Sequence, residues 1–164
     1  MQNSQKIAVV GSGLVGTLLA MYLKRAGHTV HVFDRSKDIR TIDFTGRSIN
    51  LAMSHRGWRA LEGLGIADEI YKVGIPMDKR AIHLKDGTLT FQPYGINGEA
   101  IYSISRGGLN RLMIDLAEKQ GVNFEFGQRI WDIDLESATL FMGENEHGPF
   151  QTRSFDHVYA ADGA

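Results

Sequence analysis

Residues 7–34 read IAVVGSGLVGTLLAMYLKRAGHTVHVFD, and this stretch decides the fold. An apolar, β-branched run at 7–10 leads directly into Gly11-x-Gly13-x-x-Gly16, and a second apolar run ends on Asp34. The residues between these runs repeat at helical spacing, namely Leu14, Val15, Leu18, Leu19 and Tyr22. This pattern predicts a strand, a glycine turn, a helix and a second strand with an acidic end. These elements form the βαβ unit that holds the ADP half of a dinucleotide.

Each residue of this motif has a physical role in such a unit. Gly11 permits the tight turn, Gly13 leaves no Cβ in the way of a pyrophosphate, and Gly16 lets the helix pack close to the strand. The helix N-terminus favours phosphates, and Asp34 is expected to accept hydrogen bonds from the adenosine ribose hydroxyls. The alternative is a tight turn without a ligand. The helical pattern, Gly27 at the expected helix end and the offset of Asp34 all favour the nucleotide site.

The composition excludes several classes of function. The chain has 164 residues, a formal net charge of −1 and no cysteine. There is therefore no basic footprint for nucleic acid, no disulfide, no thiolate metal site and no cysteine nucleophile. No apolar run is long enough to span a membrane, and the N-terminal residues do not form a signal peptide. Metal binding is not expected, because the histidines show no ligand spacing, and the expected location is cytoplasmic.

Beyond Asp34 the pattern predicts a mixed insertion before the parallel sheet resumes. The predicted elements are an extended and partly helical stretch at 35–54, a helix at 55–72, hairpin strands at 80–84 and 88–92, a strand at 100–105, a helix at 107–120, a strand at 122–126, short antiparallel strands within 129–142 and 149–155, and a strand at 156–161. A nicotinamide dehydrogenase usually continues its βα repeats without interruption. The delayed third parallel strand instead favours an FAD-binding fold with a substrate layer.

The predicted fold class is therefore α/β. It is a Rossmann-like FAD-binding fold with a parallel sheet, an antiparallel insertion and a β-meander. The last strand ends on Asp162-Gly163 directly before the final residue, from which we expect a truncated protein. Residues 1–164 are then the N-terminal part of an FAD-binding domain, and residues 75–105 contribute to a substrate-side strand layer.

Four further segments carry a resemblance to a known family. They are GRSINLAMSHRG at 46–57, GIPM at 74–77, PYG at 93–95 and SISR at 103–106. With the glycine turn before them and Asp162-Gly163 after them, the chain closely resembles the kynurenine 3-monooxygenases, which are class A FAD-dependent aromatic hydroxylases. The resemblance implies tightly but non-covalently bound FAD, NADPH as co-substrate, and hydroxylation of L-kynurenine to 3-hydroxykynurenine with O2. The catalytic residues stay unknown, and the 164-residue piece alone is expected to be inactive.

The resemblance also assigns site residues by position. The cofactor set consists of Gly11, Gly13, Val15, Gly16, Phe33, Asp34, Arg35, Ser36, Ala52, Arg106, Ile130 and Asp162. Arg80 and Tyr94 match the residues that hold the amino-acid end of the substrate, and a guanidinium suits a carboxylate because it presents a bidentate fork. This chain departs from the family at two positions, where Asp34 replaces the usual Glu and Ser36 replaces a common Arg.

Simpler interpretations stay open for three of these residues. Arg106 begins a helix, where a cation opposes the dipole unless an anion lies nearby, but it could be an ordinary surface arginine. Arg80 could belong to a solvated charged strand, and Tyr94 could pack as an edge aromatic. At the level of function, the alternatives are another FAD- or NAD(P)-dependent oxidoreductase and a non-catalytic nucleotide-binding module.

Overall fold

Four parallel strands form the sheet that the glycine motif enters. The computed structural model describes residues 3–42 and 49–163. Its backbone divides into two units, residues 1–46 with 110–164 and residues 47–109. The parallel strands all belong to the first unit, and they are β1 (Lys6–Val10), β2 (Thr29–Asp34), β8 (Asn123–Phe126) and β12 (His157–Ala160). Their order across the sheet is β12-β1-β2-β8.

The strand order places a switch point beside β1. From β1 the chain moves to β2 and then to β8 on one side, whereas β12 pairs with β1 on the other side. The register aligns Val10 with both Phe33 and Ala160, so the strands end at a common edge. Ligands of open parallel sheets bind beyond the carboxyl ends of the strands at such a point.

Helix α1 (Leu14–Arg25) packs against β1 and β2. Its buried residues are Gly16, Thr17, Ala20 and Met21. Of the apolar residues expected from the sequence, Val15 is 71% exposed, whereas Leu14, Leu18 and Leu19 are partly buried. A Cβ on Gly16 would overlap the carbonyl oxygen of Gly11, so this glycine lets the helix approach the strand closely.

The meander covers the opposite face of the parallel sheet. It consists of β9 (Ile130–Asp134), β10 (Thr139–Met142) and β11 (Gln151–Ser154), paired antiparallel in the order β11-β10-β9. Ala8 and Phe33 of the sheet share a buried cluster with Leu140, Met142 and Phe155. Alternate residues of a strand face opposite sides, so Ile7 and Val9 face away from this cluster, and both are buried as well.

The second unit contains the insertion predicted after Asp34. Its elements are β3 (Asn50–Met53), α2 (His55–Leu64), α3 (Ala67–Tyr71), β4 (Ile75–Met77), β5 (Lys79–His83), β6 (Leu89–Pro93) and β7 (Ile101–Ser105). The strands form an antiparallel sheet in the order β3-β7-β4 and a separate hairpin of β5 and β6. Helix α4 (Arg106–Lys119) begins in this unit and continues into the first.

The helix expected at 55–72 is two helices instead. Gly65 adopts a left-handed conformation (φ 72°), which ends α2 before α3 begins. The predicted apolar residues Trp58, Leu61, Leu64 and Ile66 are all buried, so the expected face is confirmed. Within the described residues, none of the helices combines the length and apolar character needed to cross a membrane.

Candidate functional site

The three motif glycines meet different surroundings, and this difference locates the open side of the turn. Gly11 has φ 106°, and an added Cβ would lie 2.5 Å from the carbonyl oxygen of Ala161. A Cβ on Gly16 would overlap the carbonyl oxygen of Gly11. A Cβ on Gly13 would meet no atom within 4 Å among the described residues. Protein packing therefore requires the first and third glycines, whereas Gly13 faces space that a ligand could occupy.

Asp34 at the end of β2 is tied to this turn. Its Oδ2 accepts hydrogen bonds from the Ser12 backbone N–H (2.8 Å) and from the Ser12 hydroxyl (2.6 Å), and its Oδ1 accepts one from the Ser36 N–H (2.8 Å). Burial alone would raise the pKa of Asp34, but these hydrogen bonds outweigh it and lower the pKa below its ordinary value. The carboxylate is therefore ionised and oriented at neutral pH.

A cavity of about 230 Å³ opens at the carboxyl edge of the parallel sheet beside this pair. Its lining comes from the ends of β1 and β2, from the segment before and into β9, and from the residues after β12. These residues are Val10, Gly11, Phe33, Asp34, Arg35, Gln128, Arg129, Ile130, Trp131, Asp162 and Gly163. The structure thus brings together six predicted cofactor residues from distant parts of the sequence, namely Gly11, Phe33, Asp34, Arg35, Ile130 and Asp162.

Three predicted cofactor residues of the first unit have positions that the sequence did not show. Phe33 is fully buried, and its ring packs edge-on against Phe155 at 5.7 Å between centroids, so it supports the cavity from the core. Ser36 acts through its backbone N–H, which binds Asp34. Val15 does not line this cavity, and it projects into solvent at the start of α1.

Several residues at this edge were not assigned to the site from the sequence, and four of them are polar or aromatic. Ser12 binds Asp34, and Gln128, Arg129 and Trp131 line the cavity. The Arg129 guanidinium lies 4.1 Å from the centre of the Trp131 ring, and Trp131 donates its indole N–H to the carbonyl oxygen of Gly143 (2.8 Å). No local pattern marks Gln128, Arg129 and Trp131, which line the cavity where β9 begins.

Ala52 and Arg106 lie in the second unit. Ala52 is on β3 and pairs with Ser103 of β7, and the Arg106 N–H donates to the carbonyl oxygen of Ile49 (2.9 Å). The Ser105 hydroxyl accepts a hydrogen bond from the Gly108 N–H (3.3 Å) and so caps the start of α4. The first part of the GRSINLA segment, residues 46–48, lies outside the described residues.

The proposed substrate residues come together on the β5–β6 hairpin. The Arg80 guanidinium lies 5.6 Å from the centre of the Tyr94 ring. Neighbouring Lys79 has other contacts, namely Asp78 at 3.8 Å and the ring of Phe91 at 5.3 Å. Within residues 3–42 and 49–163, no carboxylate lies within ion-pairing distance of Arg80. Arg80 is thus an exposed cation beside an aromatic ring, available to an anionic group.

The described part of the chain contains no group of three histidine, aspartate or glutamate side chains arranged to hold a metal ion. The most connected histidine is His31 on β2, whose Nδ1 lies 3.2 Å from Arg153 and 3.4 Å from Glu125. Arg153 in turn binds both oxygens of Glu125 at 2.6 Å. These contacts join β2, β8 and β11, so the cluster links the meander to the sheet.

Comparison with known proteins agrees with this geometry. Residues 4–164 match the family model described as an FAD binding domain. Two proteins named kynurenine 3-monooxygenase, from Flavobacterium johnsoniae and Flavobacterium psychrophilum, are 66% and 64% identical over all 164 residues. The chain spans 36% of the length of each of these relatives.

A solved structure shares the fold. The p-nitrophenol 4-monooxygenase PnpA from Pseudomonas putida superposes with a TM-score of 0.80 at 21% identity, over 100% of this chain and 42% of that one. The predicted Rossmann-like FAD-binding fold, with its antiparallel insertion and meander, is confirmed by this likeness and by the observed sheet order.

Proposed function

We propose a function from one premise: this chain belongs to the FAD binding domain family. The intact protein is an FAD-dependent monooxygenase that hydroxylates L-kynurenine to 3-hydroxykynurenine and consumes NADPH and O2. The observation that carries this proposal is identity of 66% and 64%, across the whole chain, to two proteins named kynurenine 3-monooxygenase. Residues 1–164 would form the N-terminal part of the FAD-binding domain, and residues 75–105 would add to the substrate side.

The residues at the carboxyl edge of the sheet fit the ADP half of FAD. The open space beside Gly13 admits a pyrophosphate, and no acidic residue in the first turn of α1 opposes its charge. Asp34 is an ionised acceptor for a ribose hydroxyl, and the cavity beyond it has room for the adenosine. Arg35 and Arg129 add positive charge at the cavity wall. Val15, Ala52 and Arg106 complete the proposed cofactor set.

FAD, when bound, supplies the redox chemistry that takes electrons from NADPH and transfers one oxygen atom to the aromatic ring. The protein residues bind the substrate and orient its ring. Arg80 holds the substrate carboxylate through its guanidinium, and Tyr94 packs beside it and limits the freedom of the amino-acid tail. Because the tail and the aromatic ring belong to one substrate molecule, holding the tail also places the ring for reaction.

The deciding experiment measures NADPH oxidation and product mass with the intact protein. L-kynurenine should accelerate NADPH oxidation and gain one oxygen atom. The aromatic acid 4-hydroxybenzoate, which lacks the amino-acid tail, is the matched control and should do neither. If 4-hydroxybenzoate is hydroxylated and L-kynurenine is not, the substrate assignment is wrong and the fold assignment stands. A protein that purifies without flavin and binds none would contradict the cofactor assignment.

A further inference from the structure

The hydroxyl of Ser12 makes the shortest contact to the proposed ribose acceptor. It donates to Asp34 Oδ2 at 2.6 Å, and the backbone N–H of the same residue donates to the same oxygen at 2.8 Å. Hydrogen bonds to a carboxylate at such distances are charge-assisted and strong. A single residue inside the glycine motif therefore fixes one oxygen of the carboxylate that ends β2.

The position of Ser12 is itself held on both sides. Ser12 is 7% exposed, and its carbonyl oxygen accepts a hydrogen bond (3.0 Å) from the hydroxyl of Thr17, a fully buried residue of α1. The preceding Gly11 donates its N–H to the carbonyl oxygen of Phe33 (2.7 Å). These bonds connect the turn after β1 to the end of β2 through backbone and side chain, so Ser12 has little freedom to move.

The two carboxylate oxygens of Asp34 consequently differ. Each oxygen of a carboxylate accepts about two hydrogen bonds. Oδ2 receives both of its bonds from Ser12, whereas Oδ1 receives one from the Ser36 N–H. The Ser36 hydroxyl also lies close enough to lower the pKa of Asp34, but Ser36 is exposed and a ligand hydroxyl could displace that group. Oδ1 therefore has one acceptor position to offer.

We infer that Ser12 is a positioning residue for the cofactor: its hydroxyl holds Asp34 Oδ2 against the glycine turn and thereby presents Oδ1 to one ribose hydroxyl of the ADP half. This inference rests on the proposed FAD site and specifies how one side chain in it works. It also limits the earlier expectation for Asp34, because the carboxylate serves one of the two ribose hydroxyls rather than both.

The test uses the intact protein freed of flavin and measures binding of three probes, ADP, 2′-deoxy-ADP and 3′-deoxy-ADP, by calorimetry. Ser12→Ala keeps the backbone N–H and removes the hydroxyl. We expect it to weaken ADP binding about tenfold, because a well-placed hydrogen bond to a charged acceptor is worth about that much. One of the two deoxy analogues should bind the variant and the parent equally, since it lacks the hydroxyl that Oδ1 accepts.

Ser154→Ala is the matched control, because it removes an exposed serine hydroxyl on β11 that bonds Thr139 (2.8 Å) and lies outside the proposed cofactor set. It should leave ADP binding unchanged. In Asp34→Asn, adding Ser12→Ala should cause no further loss, which is the non-additivity expected of two groups acting as one unit. A second readout is the pKa of Asp34, which should rise in Ser12→Ala after loss of a donor to the charged form.

The outcomes separate the inference from the function on which it rests. If the parent protein binds none of the three probes, the proposed cofactor site is wrong and the role of Ser12 falls with it. If ADP binds and Ser12→Ala weakens all three probes equally, the hydroxyl has a structural role only, and the inference is overturned. Unchanged ADP binding in Ser12→Ala, or equal losses in Ser12→Ala and Ser154→Ala, would overturn it as well.

Discussion

Substitution of Gly13 should weaken cofactor binding with little change in folding stability, whereas substitution of Gly16 should lower the folding stability. Gly13 is the N-cap of α1 with φ −66° and ψ 178°, an extended conformation that alanine adopts without strain. Its added Cβ would enter open space. The Cβ of Gly16→Ala would instead overlap the carbonyl oxygen of Gly11, and it would lie 3.3 Å from the Ala161 Cβ.

The expected magnitudes follow from these surroundings. In Gly13→Ala, a stiffer unfolded chain stabilises the protein, and alanine is a poorer cap than glycine. These effects oppose each other, so the free energy of unfolding should change by less than about 1 kcal/mol. Displacing a phosphate from one backbone N–H costs about 1.5–3 kcal/mol, which weakens FAD binding by roughly tenfold to a hundredfold. Overpacking in Gly16→Ala should cost about 1–3 kcal/mol of folding stability.

The assay compares flavin absorbance per protein after purification, the FAD dissociation constant, and the urea midpoint of both variants. Gly27→Ala is not a suitable control because Gly27 has φ 96°. Gly107 near the start of α4 is better, since a Cβ there also meets nothing within 4 Å and its φ is not positive. Full flavin retention in Gly13→Ala, with a normal dissociation constant, would refute the placement of the pyrophosphate. An unchanged urea midpoint in Gly16→Ala would refute the packing role of that glycine.

Three further substitutions test the substrate residues and the links within the first unit. Arg80→Met should raise the KM for L-kynurenine at least tenfold with flavin content unchanged, because a carboxylate loses its ion pair; steady-state kinetics at equal flavin loading measure this. His31→Asn should make the urea midpoint less sensitive to acid. Burial, Arg153 and Lys6 lower the pKa of His31 despite its bond to Glu125, so the parent loses stability as pH falls below about 6.5 and the variant should lose less. Arg40→Met should lower the free energy of unfolding, measured by urea titration at low salt, by about 1 kcal/mol or more, because Arg40 binds three carboxylates across the first unit.

Most of the fold could be predicted from the sequence because its signals are local. The βαβ unit, the hairpin around Gly87 and the helix closed by Gly121 depend on periodicity and turn chemistry within a few residues, and the structure has all three. The boundary inside 55–72 was missed because the apolar face continues through Gly65. Similarly, helical spacing identified α1 but not its buried face, which depends on how closely Gly16 lets the helix approach β1.

The candidate site was only partly predictable because its walls come from distant strands. Gly11 and Asp34 were identified from spacing alone, and Ile130 and Asp162 from the family resemblance. Arg129 and Trp131 carry no motif, and they reach the cavity because β9 starts beside the end of the parallel sheet. Ser12 lies inside the motif, but spacing cannot show that its hydroxyl points to Asp34 rather than to solvent.

The sheet order also bears on the choice between FAD and a nicotinamide cofactor. Both kinds of enzyme use a glycine turn and an acid at the end of the second strand. In this chain the cavity beside that turn is lined by the start of the meander and by Asp162 after β12, which pairs with β1 across the switch point. The cavity proposed for the adenosine therefore lies within the first unit. Arg80 and Tyr94 belong to the second unit. Loss of FAD in Gly13→Ala and loss of substrate affinity in Arg80→Met should therefore be separable. If either substitution altered both FAD binding and substrate affinity, the two roles would not be divided between the two sets of residues.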